Sequence, residues 1–248
     1  MLIDDLIRKT GRALHFTLID PDRQTPDDVF LRVARCAEYG TDAIMVGGSS
    51  AFGQELLDAT IAAIKRAVDL PVILFPNSAA AVSKRADYIF FMSLLNANDP
   101  RLLIREQAAA APFIERTGLR PISMAYIVIS TSRRPTSIEK RAEREILGPR
   151  DEKKVLGYAL AARYLGLSCV YLEAGSGADR PVPGSLIRAV KKKIGLPLIA
   201  GGGIRTAGQA AIAARAGADV IVTGTVVERN LPRLKSIIRA VHAGSIRT

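Results

Sequence analysis

Carboxylates, small hydroxyls and glycines recur directly after short apolar segments of this chain. Asp20 follows residues 14–19, Ser49 follows residues 43–47, and Glu173 ends residues 169–173. A carboxylate can accept a proton from a hydroxyl or bind a hard cation such as Mg²⁺. His15 and His242 are isolated and no His/Cys cluster is present, so the sequence does not indicate a transition-metal site.

Glu173 is the strongest candidate for catalysis. Alternation along residues 169–173 places Cys169, Tyr171 and Glu173 on one face and the aliphatic Val170 and Leu172 on the other. The aliphatic face should pack against helices, so Glu173 is expected to point into a site. A buried carboxylate is costly unless it is hydrogen-bonded, paired or used, and a structural ion pair is the alternative interpretation.

Asp20 closes an apolar segment and precedes a proline, which is a position that commonly serves a metal or a substrate. The alternative is a turn or helix-capping aspartate, a role that Asp22 fits better because it lies further along the chain.

Glycine runs follow two later apolar segments, at residues 201–203 and at Gly224 with Thr225. Without a Cβ, the backbone amides of glycine can approach an anion closely, and a helix N-terminus adds a favourable field. Paired glycine loops after the seventh and eighth strands are the usual phosphate site of a (β/α)₈ barrel. The pattern therefore predicts a phosphate-binding site.

The elements that would position these residues are readable from the pattern. Short apolar segments alternate with helical periodicity, which favours a parallel sheet covered by helices, and eight repeats favour a single TIM barrel domain over residues 1–248. The predicted strands are residues 14–19, 43–47, 72–75, 88–92, 122–129, 169–173, 198–200 and 220–223. The predicted helices include residues 27–38, 100–117, 152–165, 183–194 and 207–216, and residues 1–12 are expected to plug or flank the barrel base. The link 77–86 is too short for a full helix. An open doubly wound sheet is the alternative, but it would need a glycine-rich turn where Asp20, Pro21 and Asp22 stand.

Composition limits the partners. The 248 residues carry a net charge of +11, which suggests an anionic partner: a phosphorylated substrate, a membrane surface or nucleic acid. The basic stretch 133–150 is interleaved with glutamates and the basic stretch 191–193 fits a solvated helix end, so nucleic acid is not expected. Cys36 and Cys169 are expected to be reduced and buried, and without an apolar run of about 18 residues the protein is expected in the cytoplasm.

The strand ends resemble those of the geranylgeranylglyceryl phosphate synthases. The matching motifs are TLIDPD at 17–22, GGSS at 47–50, FFMSLLN at 90–96, YLEAGSG at 171–177, GGGIR at 201–205 and TGT at 223–225. The resemblance implies transfer of geranylgeranyl from its diphosphate to the 3-hydroxyl of sn-glycerol 1-phosphate in archaeal ether-lipid synthesis. It also implies Mg²⁺, a homo-oligomer and an apolar groove for the prenyl tail near strands two to four; peripheral membrane contact is a further expectation.

By motif, the resemblance implies metal ligands at Asp20 and Ser49. It implies glycerol phosphate contacts at Tyr171, Leu172, Glu173, Ala174, Gly175, Ser176, Gly177, Gly202, Gly203, Gly224 and Thr225. Glu173 suits the base that takes the hydroxyl proton.

The chain departs from this family pattern at two places. Leu18 stands where some relatives carry a lysine, so another cation must assist the anionic ligands, and Arg23 and Arg205 are candidates. Residues 130–150 are long, basic and less similar, and fit a mobile lid or a plain surface loop equally well. A different phosphate-binding barrel enzyme and a nucleic-acid binder remain alternative functions.

Overall fold

Eight parallel strands close into a barrel in which each strand pairs with its neighbours in chain order and β8 pairs with β1. The computed structural model describes residues 2–48 and 53–244. The strands are β1 (Leu14–Ile19), β2 (Ala43–Val46), β3 (Val72–Leu74), β4 (Tyr88–Leu94), β5 (Arg120–Val128), β6 (Cys169–Glu173), β7 (Leu198–Gly201) and β8 (Val220–Thr223). The predicted TIM barrel is confirmed.

Helices cover the outside of the barrel in the described part of the chain. They are α1 (Leu2–Thr10), α2 (Pro26–Glu38), α3 (Gln54–Ala67), α4 (Glu106–Thr117), α5 (Ser137–Arg141), α6 (Glu152–Tyr164), α7 (Gly184–Ile194), α8 (Ala207–Arg215), α9 (Thr225–Arg229) and α10 (Leu231–Gly244). The link from β3 to β4 contains no helix, as predicted. The predicted helix 100–117 is divided, because its first turn is a π-helical turn, Arg101–Arg105, ahead of α4.

Side-chain alternation divides the core into two layers. Phe16, Met45, Tyr171 and Val222 belong to a cluster inside the barrel, whereas the alternate residues of the same strands pack against the helices. Leu2, Ile3 and Ile7 of α1 join the inner cluster, so α1 contributes to the barrel core as expected. The site residues lie above this core, at the carboxyl ends of the strands.

Candidate active site

A cavity of about 420 Å³ lies at the carboxyl ends of the strands. It brings together most of the residues that the strand-end pattern predicted. Those on its wall are Asp20, Tyr171, Glu173, Ser176, Gly177, Gly202, Gly203, Gly224 and Thr225. Ser49 lies outside the described residues. The end of the barrel with the cavity therefore carries the chemistry that the sequence suggested.

Leu172, Ala174 and Gly175 do not line the cavity. Leu172 and Ala174 are fully buried in the outer layer, because alternation turns their side chains toward the helices. The glycerol phosphate contacts that the resemblance implies for these three residues stay a prediction. Gly175 contributes to the site indirectly, since its N–H donates a hydrogen bond to the Glu173 carboxylate.

Glu173 is 6% exposed, and its Oε1 accepts a hydrogen bond from Gly175 N at 2.5 Å. Burial raises the pKa of Glu173, while the hydrogen bonds from Gly175 and from the hydroxyls of Tyr171 and Tyr126 act to lower it. No cation among the described residues forms an ion pair with Glu173, so a structural ion pair does not explain this carboxylate. Glu173 is thus placed and hydrogen-bonded as a proton acceptor at the cavity wall.

Two residues beside Glu173 were not identified from the sequence. Tyr126 lies across the β5–β6 pairing from Tyr171, and their ring centroids are 5.3 Å apart. Phe75, just after β3, stacks on Tyr171 at 5.8 Å. The signal for Tyr126 was available, because it shares the inward parity of Met124 on the same strand.

The glycine loops after β6 and β7 have the backbone conformation that anion binding requires. Gly175, Gly177, Gly202 and Gly203 all have φ between 71° and 96°, a region that other residues rarely adopt. A Cβ at Gly202 would overlap Glu173 Oε1 and Gly175 N. Left-handed glycines in succession turn their N–H groups toward a common concavity, which is typical of anion sites.

Arg205 fastens these loops together. Its guanidinium donates to the carbonyls of Gly177, Ala178 and Asp179 at 3.1, 2.6 and 3.2 Å. Arg205 therefore has a structural role, and because it also lines the cavity, its expected role as a cation for the anionic ligands stays a prediction.

Asp20 closes β1 and is 8% exposed. Its Oδ1 is buried without a hydrogen-bond partner among the described residues. Asp20 stands at the N-cap position of the following turn, but its side chain makes no capping bond, so capping does not explain this carboxylate. A Cβ at Gly48 would overlap this carboxylate, which explains why the end of β2 needs a glycine. Burial and the proximity of Asp22 raise the pKa of Asp20 to about 8, and the charge of Arg23 opposes that rise.

An orphaned, buried carboxylate oxygen at a cavity wall is the type of donor that Mg²⁺ uses. No group of three or more His, Cys, Asp or Glu side chains in the described chain could hold a metal alone. This donor set fits Mg²⁺ bound by one carboxylate together with phosphate oxygens, not a closed protein cage.

An apolar groove of about 110 Å³ adjoins the cavity. Pro76, Met92, Leu102 and Ile138 line both spaces, while residues such as Phe90 and Ala110 line the groove alone. The groove is lined by the β3–β4 link, which lacks a helix, and by β4 and α4. Its use for the prenyl tail stays a prediction.

Residues 130–150, here called the cover segment, lie over the cavity, and Ser137, Ile138 and Ala142 line it. A plain surface loop is therefore excluded. The segment is held by a buried ion pair between Arg144 Nη2 and Glu139 Oε1 at 2.7 Å. The mobility of this lid stays a prediction.

Comparisons with known proteins agree with this site. A model of the PcrB family matches residues 5–245. The geranylgeranylglyceryl phosphate synthase of Pyrococcus abyssi (strain GE5 / Orsay) is 46% identical over 220 residues, which cover 89% of this chain and 86% of the relative. That of Thermococcus kodakarensis (strain ATCC BAA-918 / JCM 12380 / KOD1) is 47% identical over 216 residues, covering 87% and 84%.

A solved structure gives the same picture. The (S)-3-O-geranylgeranylglyceryl phosphate synthase from Thermoplasma acidophilum, crystallised in complex with its substrate sn-glycerol-1-phosphate, superposes with a TM-score of 0.93 at 39% identity. The match covers 98% of this chain and 99% of that one. An N-acetylmannosamine-6-phosphate 2-epimerase from Clostridium perfringens, at 15% identity and a TM-score of 0.56, shares the fold alone. This chain therefore belongs to the PcrB family and is a member of the geranylgeranylglyceryl phosphate synthases.

Proposed function

We propose that the chain joins the geranylgeranyl group of geranylgeranyl diphosphate to the 3-hydroxyl of sn-glycerol 1-phosphate, releasing diphosphate. One observation carries this proposal: a single cavity has glycine loops suited to a phosphate at one end and an apolar groove at the other. Glu173 and Asp20 lie on the wall of this cavity. The reaction is a step of archaeal ether-lipid synthesis, and its two substrates differ in polarity as the two ends of the cavity do.

The glycine loops after β6, β7 and β8 would hold the phosphate of sn-glycerol 1-phosphate. Gly177, Gly202, Gly203 and Gly224 supply backbone at the wall without side chains that would block an anion. The hydroxyl of Ser176 also lies at this end. The glycerol carbons would then extend toward Glu173.

Glu173 would accept the proton of the glycerol 3-hydroxyl. As the hydroxyl oxygen forms the ether bond to the prenyl carbon, the carbon–oxygen bond to the diphosphate breaks and the proton remains on the Glu173 carboxylate. Tyr126 and Tyr171, which donate to this carboxylate, orient it. A base that is hydrogen-bonded in place has the correct geometry before the substrate arrives.

Asp20 would hold Mg²⁺, together with Ser49 as the resemblance implies. When bound, Mg²⁺ supplies the positive charge that stabilises the departing diphosphate. Asp20→Asn should then lower turnover strongly while the unfolding temperature is kept, and excess chelator should abolish activity of the unmodified protein. Full activity under either condition would contradict the assignment.

The experiment that tests the function is incubation of the protein with sn-glycerol 1-phosphate and a series of prenyl diphosphates, followed by product mass. The expected product with the C20 donor is the monoether phosphate. sn-Glycerol 3-phosphate serves as the matched control acceptor and should react much more slowly. Absence of an ether product with every donor would reject the function.

We also propose that residues 1–248 act as one domain, in the cytoplasm, and as a homo-oligomer with peripheral membrane contact. Exposed apolar side chains support a subunit contact: Leu31 on α2 is 66% exposed, and Tyr164 at the end of α6 is 79% exposed. No helix in the described residues has the length and apolar character needed to cross a bilayer. Sedimentation of the protein, with and without anionic vesicles, measures both properties.

A further inference from the structure

Arg23 joins the ends of β1 and β8 through two carboxylates. Its Nε lies 3.3 Å from Asp20 Oδ2 and its Nη1 lies 3.1 Å from Glu228 Oε2. Glu228 belongs to α9, the short helix directly after the Gly224 loop. Asp20 and Glu228 both line the cavity, so the guanidinium lies between two of its wall residues.

Other cations near the cavity are engaged elsewhere. Arg205 donates to three carbonyls, and Arg101 pairs with Asp99 at 3.3 Å near the apolar groove. The Nη2 group of Arg23 makes no hydrogen bond to any residue of the described chain. Arg23 is thus the cation beside Asp20 whose donors are only partly used.

Asp20 supplies an independent indication of a ligand here. The residue is 8% exposed, and its Oδ1 is buried with no hydrogen-bond partner among the described residues. If Arg23 were needed only to neutralise Asp20, the guanidinium would pair with both oxygens, since arginine and carboxylate match in a bidentate geometry. Instead Glu228 draws Arg23 aside, and Oδ1 stays open.

We propose that Arg23 binds the diphosphate of the prenyl substrate and that Glu228 is a positioning residue that keeps Arg23 from closing on Asp20. This inference rests on the proposed function. With its carboxylates ionised, the group of Asp20, Asp22, Arg23 and Glu228 carries a net charge of −2, which attracts a divalent cation. A bound divalent cation brings that sum to zero, so the negative charge that would repel the diphosphate is cancelled, and the planar guanidinium suits phosphate oxygens.

A simple brace between β1 and α9 is the competing explanation. Arg23 is 37% exposed in its side chain, and exposed ion pairs contribute little to stability. If the pair is only a brace, removing the charge of Arg23 or that of Glu228 should have the same small effect on the affinity for every ligand. The positioning role predicts that the two changes affect different ligands.

The test is calorimetric titration of the resting protein with inorganic pyrophosphate at several Mg²⁺ concentrations, together with KM for each substrate. For Arg23→Gln we expect pyrophosphate affinity at saturating Mg²⁺ to fall roughly 10–100-fold, the loss of one hydrogen-bonded charged contact. The KM for the prenyl diphosphate should rise while that for sn-glycerol 1-phosphate stays within about twofold. Arg23→Lys should recover part of the loss, since the charge is kept and the planar fork is not.

For Glu228→Gln we expect a different result. More Mg²⁺ should be needed for half-maximal pyrophosphate binding, because Arg23 can then close on Asp20. Arg35→Gln and Glu38→Gln are matched controls, since this exposed pair on α2 is held at 2.8 Å, and both should bind pyrophosphate normally.

Normal pyrophosphate binding by Arg23→Gln, or the same change in every ligand for both variants, would overturn the proposal. Arg23→Lys keeps the test valid if the glutamine variant does not fold. Pyrophosphate binding is measured without turnover. Failure of the unmodified protein to make ether product would therefore reject the proposed function, whereas the pyrophosphate titration tests the role of Arg23 alone.

Discussion

Glu173 combines three properties that a base for an alcohol needs. It is buried, so its carboxylate is not stabilised by water; it is hydrogen-bonded by Gly175 N, so it is oriented; and it has no cationic partner in the described chain. Burial raises the pKa of Glu173, which brings its basicity closer to what proton abstraction near neutral pH requires. The same three properties make the residue costly for stability alone.

Glu173→Gln should lower turnover about 10²–10⁴-fold, because the amide keeps the shape of the carboxylate but cannot accept the proton. The unfolding temperature should not fall, since no ion pair is broken. In the unmodified protein, turnover should also fall as pH decreases through the raised pKa of Glu173, where the carboxylate becomes protonated. Steady-state rates and thermal unfolding measure both effects.

Glu115→Gln, an exposed change on α4, is the control and should have normal turnover. A Glu173→Gln variant with full activity would contradict the assignment of Glu173 as the base.

Gly202→Ala should raise the KM for sn-glycerol 1-phosphate and lower the melting temperature. The residue has φ of 79°, where a Cβ is strained, and that Cβ would overlap Glu173 Oε1 and Gly175 N. We expect a loss of about 1 kcal/mol or more of stability. Gly208→Ala, in α8 with open space around its Cβ, is the matched control and should be neutral or stabilising. Equal effects of both changes on KM would refute the phosphate role.

At the scale of elements, the absence of a helix between β3 and β4 leaves space for the apolar groove. The link contains no helix, so the outer wall of the barrel is open at this point and the apolar groove forms beneath α4. Phe90 and Ala110 line the groove and not the main cavity. The small side chain of Ala110 leaves room that a longer residue would fill.

Ala110→Phe should therefore shorten the prenyl chain that the protein accepts. The added ring would fill part of the groove, so relative kcat/KM should shift from C20 toward C15 and C10 donors. Each methylene that can no longer be buried weakens binding by about 0.8 kcal/mol. Competition between donors with product mass measures the shift. Ala109→Phe, an exposed neighbour on α4, is the control, and an unchanged C20 preference in Ala110→Phe would contradict the placement of the tail.

The elements that the sequence predicted well are those with strict periodicity. Alternation along β6 predicted the inward direction of Glu173 and the outward direction of Leu172, and Ala174, one residue past the strand, continues the outward parity. Contacts between residues that are distant in sequence could not be predicted from such periodicity. The Glu139–Arg144 pair and the three carbonyls that Arg205 binds depend on how loops fold back on one another, which local patterns do not encode.

At the scale of the whole molecule, the cavity end of the barrel carries the unpartnered oxygen of Asp20 and the left-handed glycines that follow β6 and β7, whereas left-handed glycines such as Gly118 and Gly195 end helices at the opposite end. His15 on β1 faces the helices and is fully buried. Its Nδ1 lies 3.0 Å from Thr41 Oγ1 and its Nε2 lies 2.9 Å from Thr223 Oγ1. The protonation of His15 therefore affects the free energy of unfolding and not the chemistry of the site.

Burial lowers the pKa of His15 from 6.5 to about 3, so the folded barrel contains a neutral imidazole. The unfolded chain takes up a proton below pH 6.5, which the folded state cannot accept until about pH 3. Stability from this group is therefore fully present above pH 6.5 and is lost as pH falls toward 3. Between pH 7 and pH 5 we expect a loss of about 2 kcal/mol from His15 alone.

The free energy of unfolding of the unmodified protein and of His15→Gln, measured by denaturant at each pH, should converge by that amount, because the variant lacks the titrating group. Other groups contribute equally to both proteins and cancel in the difference. A stability difference that stays constant from pH 7 to pH 5 would show that His15 is protonated in the folded barrel.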